Sequence, residues 1–124
     1  PVIDRSMSTE SMRRYTDTPI WDADCTELFW KIYLKGQDPK QIQYASPMEA
    51  VFLNHFPRTY IEVAEFDCLH DEGVAFADKL QSEGVSVELH EVKGACHGFE
   101  AAMESKIVTD SMNRRINWIQ SVFD

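Results

Sequence analysis

Basic residues are scarce in this chain: 12 Lys and Arg stand against 21 Asp and Glu, for a net charge of −9. No basic patch is available to displace counterions, which excludes nucleic acid as a partner and disfavours an anionic membrane surface. Cysteine is sparse too. Cys25, Cys68 and Cys96 are odd in number, widely spaced and form no Cys-x-x-Cys pair. That argues against a disulfide framework and against the usual zinc spacings, and it fits a reducing, cytoplasmic compartment. There is no low-complexity segment, no apolar run long enough to cross a bilayer and no signal-peptide pattern at the start. What is present suits a compact core: 44% of the residues are hydrophobic and 11% aromatic. At 124 residues the chain is expected to be one domain or part of one. Its first residue is Pro1 rather than Met, which reads as processing or as a piece of a longer chain.

Residues 6–20 are rich in Ser and Thr and follow neither a period of two nor one of 3.6, so a surface loop is expected. A helix is predicted from Asp24 to Lys35, with Asp24 and Glu27 as a capping box and Leu28, Phe29, Ile32 and Tyr33 on one face. Gly36 stops it and Pro39 lies just beyond. Residues 37–57 read as turns, with one short helix near Pro47 to Val51.

Thr59 to Ala64 reads as a strand. Residues 71–83 read as a helix with Val74, Ala77 and Leu80 on one stripe, ended by Gly84. Val85 to Val92 is a second strand whose alternation implies one wet face, as at a sheet edge. A last helix is predicted from Ile107 to Val122, its buried stripe being Val108, Met112, Ile116, Ile119 and Phe123. Strand, helix, strand and helix joined by short loops imply a parallel pair. Two strands are too few for a stable sheet, so the chain reads as the end of a larger one.

Chemistry gathers at the carboxyl ends of parallel strands. Asp67 and His97 fall there, on neighbouring loops, close enough for a carboxylate–imidazole hydrogen bond. Such a pair forms two thirds of a Ser-His-Asp site. The remaining third is missing, because Gly-x-Ser-x-Gly occurs nowhere in the chain. Gly94 and Gly98 flank His97 and point to a specially shaped loop.

Asp67-x-Leu69-x-Asp71-Glu72-Gly73, followed by His97-Gly98-Phe99, resembles the C-terminal motif pair of the hormone-sensitive-lipase-like branch of the α/β-hydrolases. That branch contains acetyl esterases and small carboxylesterases. Trp30-x-x-Tyr33-Leu34 and Ala45-Ser46-Pro47-Met48 resemble its segment between the sixth and seventh strands, and Pro1-Val2-Ile3-Asp4 the tail of its sixth strand. The resemblance implies catalytic roles for Asp67 and His97 in a triad ordered Ser, Asp, His, with Leu69 and Phe99 bordering the substrate pocket. It implies a small-molecule ester as substrate and neither cofactor nor metal. Two departures stand out: Cys68 replaces the family's Pro, and both the oxyanion segment and the nucleophile elbow are absent.

The expected fold is therefore α/β: the C-terminal part of an α/β-hydrolase parallel sheet, preceded by a loop and a helix, as one incomplete domain over residues 1–124. The full-length parent is expected to be an ester hydrolase and this chain alone to be inactive. Isolated, it is expected to form homo-oligomers through the exposed edge of Thr59 to Ala64. Blander readings exist for each residue. Asp67 also suits a helix cap, and His97 a surface loop. Asp71 and Glu72 suit a helix N-terminus, although Asp71 could replace Asp67. Cys68 and Cys96 read as small buried residues, while a zinc site with His70 or His97 is a remote alternative. His55 and His90 read as surface residues. Trp21, Phe29, Trp30 and Tyr33 read as core, with an acyl pocket as the alternative. For the whole, the rivals are a non-catalytic interaction module or pseudo-hydrolase, a peptidase on the same fold, and, more remotely, a flavodoxin-like or receiver domain with Asp67 as phospho-acceptor.

Overall fold

The computed structural model describes residues 1–36 and 39–123, so Gln37 and Asp38 of the stretch read as turns lie outside the described residues. β1 (Thr59–Phe66) and β2 (Val87–Cys96) pair in parallel, from Thr59 opposite Val87 to Ala64 opposite Val92. Beyond that point the register slips, so that Phe66 faces Cys96. The extra β2 residues include Gly94 at φ +73°, whose N–H donates to Glu65 Oε2 at 2.7 Å. Among the described residues the sheet has these two strands alone.

α4 (His70–Ser82) crosses between the strands and packs on one face of the pair. Ile61 and Val63 of β1 meet Phe76, Ala77 and Leu80 of α4 there, together with Ile3, Leu53 and Val85. α5 (Lys106–Phe123) lies on the other face. Its Ser111 hydroxyl donates to Glu62 of β1, and the ring of its Trp118 sits 5.6 Å from Tyr60. The face of Glu88 and His90, expected to be wet, is thus half-buried, with His90 Nε2 bonded to Glu88 Oε1 at 2.8 Å.

Several expectations change. The presumed loop over residues 6–20 contains α1 (Glu10–Arg14), capped by Thr9. No apolar period announced it because hydrogen bonds do much of its docking. Ser11 Oγ donates to Cys68 O at 2.8 Å, and Ser11 N donates to Asp71 Oδ2 at 2.8 Å. α2 (Ala23–Tyr33) starts one residue earlier than predicted, and Asp22 rather than Asp24 is its cap, accepting from Cys25 N at 2.8 Å. Its buried residues are Ala23, Thr26 and Trp30, while Leu28 and Ile32 are exposed. In α5 Val108 is buried as expected, but Met112, Ile116, Ile119 and Phe123 are exposed and Ser111 is buried instead. Pro1 to Asp4 does not pair as a strand. Ile3 N donates instead to Glu72 Oε1 at 2.9 Å, and Met48 N donates to Ile3 O at 3.1 Å. The stretch before β1 holds α3 (Ile42–Ala45) and two 3₁₀ turns, Pro39–Gln41 and Pro47–Glu49.

α4 comes close to β1 at Gly73, where an added Cβ would lie 2.5 Å from Val63 Cγ1. Val63 is itself buried, which leaves little room to yield. Helix propensity alone favours Ala over Gly by about 1 kcal/mol, but overpacking costs about 1–3 kcal/mol. Gly73→Ala is therefore expected to lower stability despite its better propensity, read as a lower urea midpoint with an unchanged m-value.

Candidate active site

Asp67 is the first residue after β1, and His97 the first after β2. Parallel pairing places the two strand ends side by side, and the side chains meet: His97 Nδ1 lies 2.9 Å from Asp67 Oδ2. The other carboxylate oxygen accepts the Leu69 amide at 2.9 Å. Both oxygens of Asp67 are thus engaged, and its side chain is only 10% exposed. Burial acts to raise the pKa of Asp67, but the His97 bond and the Leu69 amide outweigh it and hold the carboxyl below its ordinary range. An ionised carboxylate only accepts. His97 therefore donates through Nδ1, which leaves the lone pair on Nε2. The imidazole is 33% exposed, so that nitrogen can be reached.

Gly98 follows at φ +68° and starts the 3₁₀ turn Phe99–Ala101. Ile20 packs on it so closely that a Cβ there would meet Ile20 carbons at 3.1 Å. Next to Ile20, the Trp21 ring lies 5.7 Å from the His97 ring at 30°, and Trp21 Nε1 donates to Thr26 Oγ1 at 2.8 Å. The sequence reading grouped Trp21 with other aromatics and missed this contact, because nothing local links residues so far apart in the chain. The other aromatics do associate, Phe29 stacking on Tyr33 at 5.1 Å, but only Trp30 is fully buried.

A cavity of about 190 Å³ opens beside the pair, lined among others by Asp67, His97, Phe99, Glu62, Glu100 and Arg115. Phe99 thus borders it. Leu69 does not: at 1% exposure it packs inward with Met12, Ala23 and Cys68, because the turn after Asp67 directs it into the core. Asp71 is bonded to His70 Nδ1 at 2.8 Å and to Ser11, away from His97. Cys68 is buried, and burial pushes its thiol up to about 11, so it is no thiolate at neutral pH. Among the described residues no cluster of three or more His, Cys, Asp or Glu is placed to hold a metal ion.

Glu72 is 1% exposed and has only one carboxyl oxygen satisfied, by Ile3 N, while Oε2 is unpaired. Burial, only partly offset by the Ile3 amide, pushes it up from 4.5 to about 7. Between those values the folded chain holds a proton that the unfolded chain releases, so stability falls as pH rises. The full effect is about 3 kcal/mol. Glu72→Gln is expected to remove that slope between pH 4.5 and 7 and to be the more stable form above it. Urea unfolding at several pH values checks this, and a slope unaltered by the substitution would place the titration elsewhere.

Comparison with known proteins gives a consistent picture. A family described as having the alpha/beta hydrolase fold matches residues 1–101. Lipase 2 of a Moraxella species is 37% identical over 80% of this chain and 23% of its own length. Ethyl acetate hydrolase of Pseudomonas putida is 31% identical over 80% of this chain and 31% of its own length. The crystal structure of esterase LipW from Mycobacterium marinum superposes with a TM-score of 0.91 at 31% identity, covering 99% of this chain and 38% of that one. The chain thus spans about a quarter to two fifths of these relatives.

Proposed function

The chain belongs to the α/β-hydrolase fold family, among its hormone-sensitive-lipase-like carboxylesterases, and we propose that it is the C-terminal part of a serine carboxylesterase acting on small esters. The observation that carries this reading is the 2.9 Å bond between His97 Nδ1 and Asp67 Oδ2 at the paired strand ends. A serine supplied by an upstream elbow attacks the ester carbonyl. His97 Nε2 takes the serine proton, and later gives it to the leaving alcohol. Asp67 fixes the tautomer and stabilises the imidazolium. Water then hydrolyses the acyl-enzyme with His97 as base again. Phe99 borders the space beside the imidazole. No step requires a metal or an organic cofactor. The compartment proposed is the cytoplasm, supported by three free cysteines.

In the full-length protein, His97→Ala and Asp67→Asn are each expected to lower kcat by roughly 10³–10⁴-fold on a p-nitrophenyl acetate assay. Unchanged turnover in the His97 variant would overturn the assignment. The 124-residue chain alone is expected to show no turnover, because it has no elbow serine to activate.

The same reading bears on association. β1 has one edge unpaired among the described residues. Leu28 and Ile32 of α2 and Ile116, Ile119 and Phe123 of α5 are all exposed. Unpaired edges and apolar faces seek partners. The isolated chain is expected to sediment as a dimer or larger at micromolar concentration; a clean monomer would count against this.

A further inference from the structure

We propose that Arg115 is a positioning residue for His97, clamping the turn that carries the imidazole to the strand that carries Asp67. The proposal rests on the esterase reading for its kinetic consequence but on geometry for the clamp itself. Arg115 projects from α5 and binds two carboxylates at once. Its Nη2 donates to Glu62 Oε1 at 2.8 Å and to Glu100 Oε1 at 2.6 Å, and its Nε donates to Glu62 Oε2 at 3.3 Å. Glu62 lies on β1, five positions before Asp67. Glu100 lies in the 3₁₀ turn three positions after His97. The guanidinium also sits over the Phe99 ring, 5.8 Å from its centroid.

The anchor on the strand side is rigid. The Glu62 side chain is 7% exposed. Besides Arg115 it accepts from the Tyr60 hydroxyl at 2.5 Å and from Ser111. Burial acts to raise Glu62, but the bonds from Arg115, Ser111 and Tyr60 prevail and keep it ionised. Tyr60 is pushed up to about 12, mainly by burial, and so keeps its proton to donate. On the other side, Gly98 gives the His97 turn a backbone that ordinary residues rarely adopt, and Glu100 is the polar side chain through which that turn reaches β1 and α5. The Asp67–His97 bond and the Arg115 clamp thus tie the turn after β2 to β1 at two places, the end of the strand and its middle. The Asp67 bond and the Trp21 contact hold the ring itself, and the clamp adds a hold on the turn that carries it. Misplacement on the order of 1 Å costs about 10²-fold in rate.

Arg115 is not an anion receptor for substrate, although it lines the cavity. Its one positive charge faces two carboxylates, which leaves the trio net negative.

The test uses the full-length protein and three variants. Glu100→Gln cuts the arm to the turn while sparing the buried anchor. Arg115→Met removes the clamp, and Arg115→Lys keeps the charge without the fork. The first readout is kcat and KM on p-nitrophenyl acetate. The second is the downfield His97 Nδ1 proton in NMR spectra, which needs no turnover. Expected are kcat losses of about 10–100-fold in Glu100→Gln and Arg115→Met with KM within about twofold, a broadened or faster-exchanging Nδ1 proton in both, and partial rescue in Arg115→Lys. An unaltered Nδ1 proton and unaltered kcat in Glu100→Gln, with Arg115→Met changing only the melting temperature, would overturn the proposal. If the wild-type protein hydrolyses no ester, the esterase reading fails while the Nδ1 proton still decides whether Arg115 positions His97.

Discussion

Parallel pairing of β1 with β2 brings Phe66 opposite Cys96, and from there both strands leave the sheet in the same direction. That constraint makes neighbours of two residues thirty positions apart. Antiparallel pairing would send the ends to opposite edges. The slip after Ala64 adds to it, because the longer path of β2 brings His97 level with Asp67. α4 is what makes the parallel arrangement feasible, since a crossover must return the chain to the start of the sheet. Its tight seat at Gly73 is therefore part of the site's construction, although the helix supplies neither Asp67 nor His97.

Among the described residues Asp67 and Glu72 are buried and the Glu62 side chain is nearly so, in a chain that carries a net charge of −9, and each is handled differently. Asp67 is charged because an imidazole and an amide occupy its two oxygens. Glu62 is charged because Arg115, Ser111 and Tyr60 surround it. Glu72 has one amide and an unpaired oxygen, and burial drives it toward the neutral form. The ordering follows the number and charge of donors at each group rather than depth of burial alone. A charged Asp67 is what makes Nδ1 of His97 a donor and leaves Nε2 its lone pair. Burial thus disfavours a second negative charge at Glu72, beside Asp67.

Much of this was legible in the sequence, and the failures have physical causes. β-branched runs marked both strands, and the turn after each marked Asp67 and His97. Helical periodicity found α2 and α5 but not which side is covered, since amphipathicity does not name the partner of an apolar face. Ile116 and Ile119 are as apolar as Val108, yet Val108 is buried and they are exposed. α1 escaped notice because Ser11 docks through hydrogen bonds to Cys68 and Asp71. Leu69 turns into the core and away from the cavity beside His97, because a motif fixes adjacency along the chain whereas the turn fixes direction. The Trp21–His97 contact and the Arg115 clamp join distant segments and leave no local trace.

Orientation and reactivity are separable here. In the proposed mechanism the attacking oxygen and its oxyanion donors belong to other segments, while this chain supplies a base already aligned. Asp67 sets the tautomer, Trp21 flanks one side of the ring, and Ile20 closes over Gly98. Each restraint limits the imidazole before any substrate arrives, which is where much of the entropy of assembling a reactive geometry is lost. A base held this way has no need of the nucleophile to become ordered. In that mechanism an elbow supplied by another segment would bring a hydroxyl within hydrogen-bond reach of Nε2. The 33% exposure of the His97 side chain leaves that approach open.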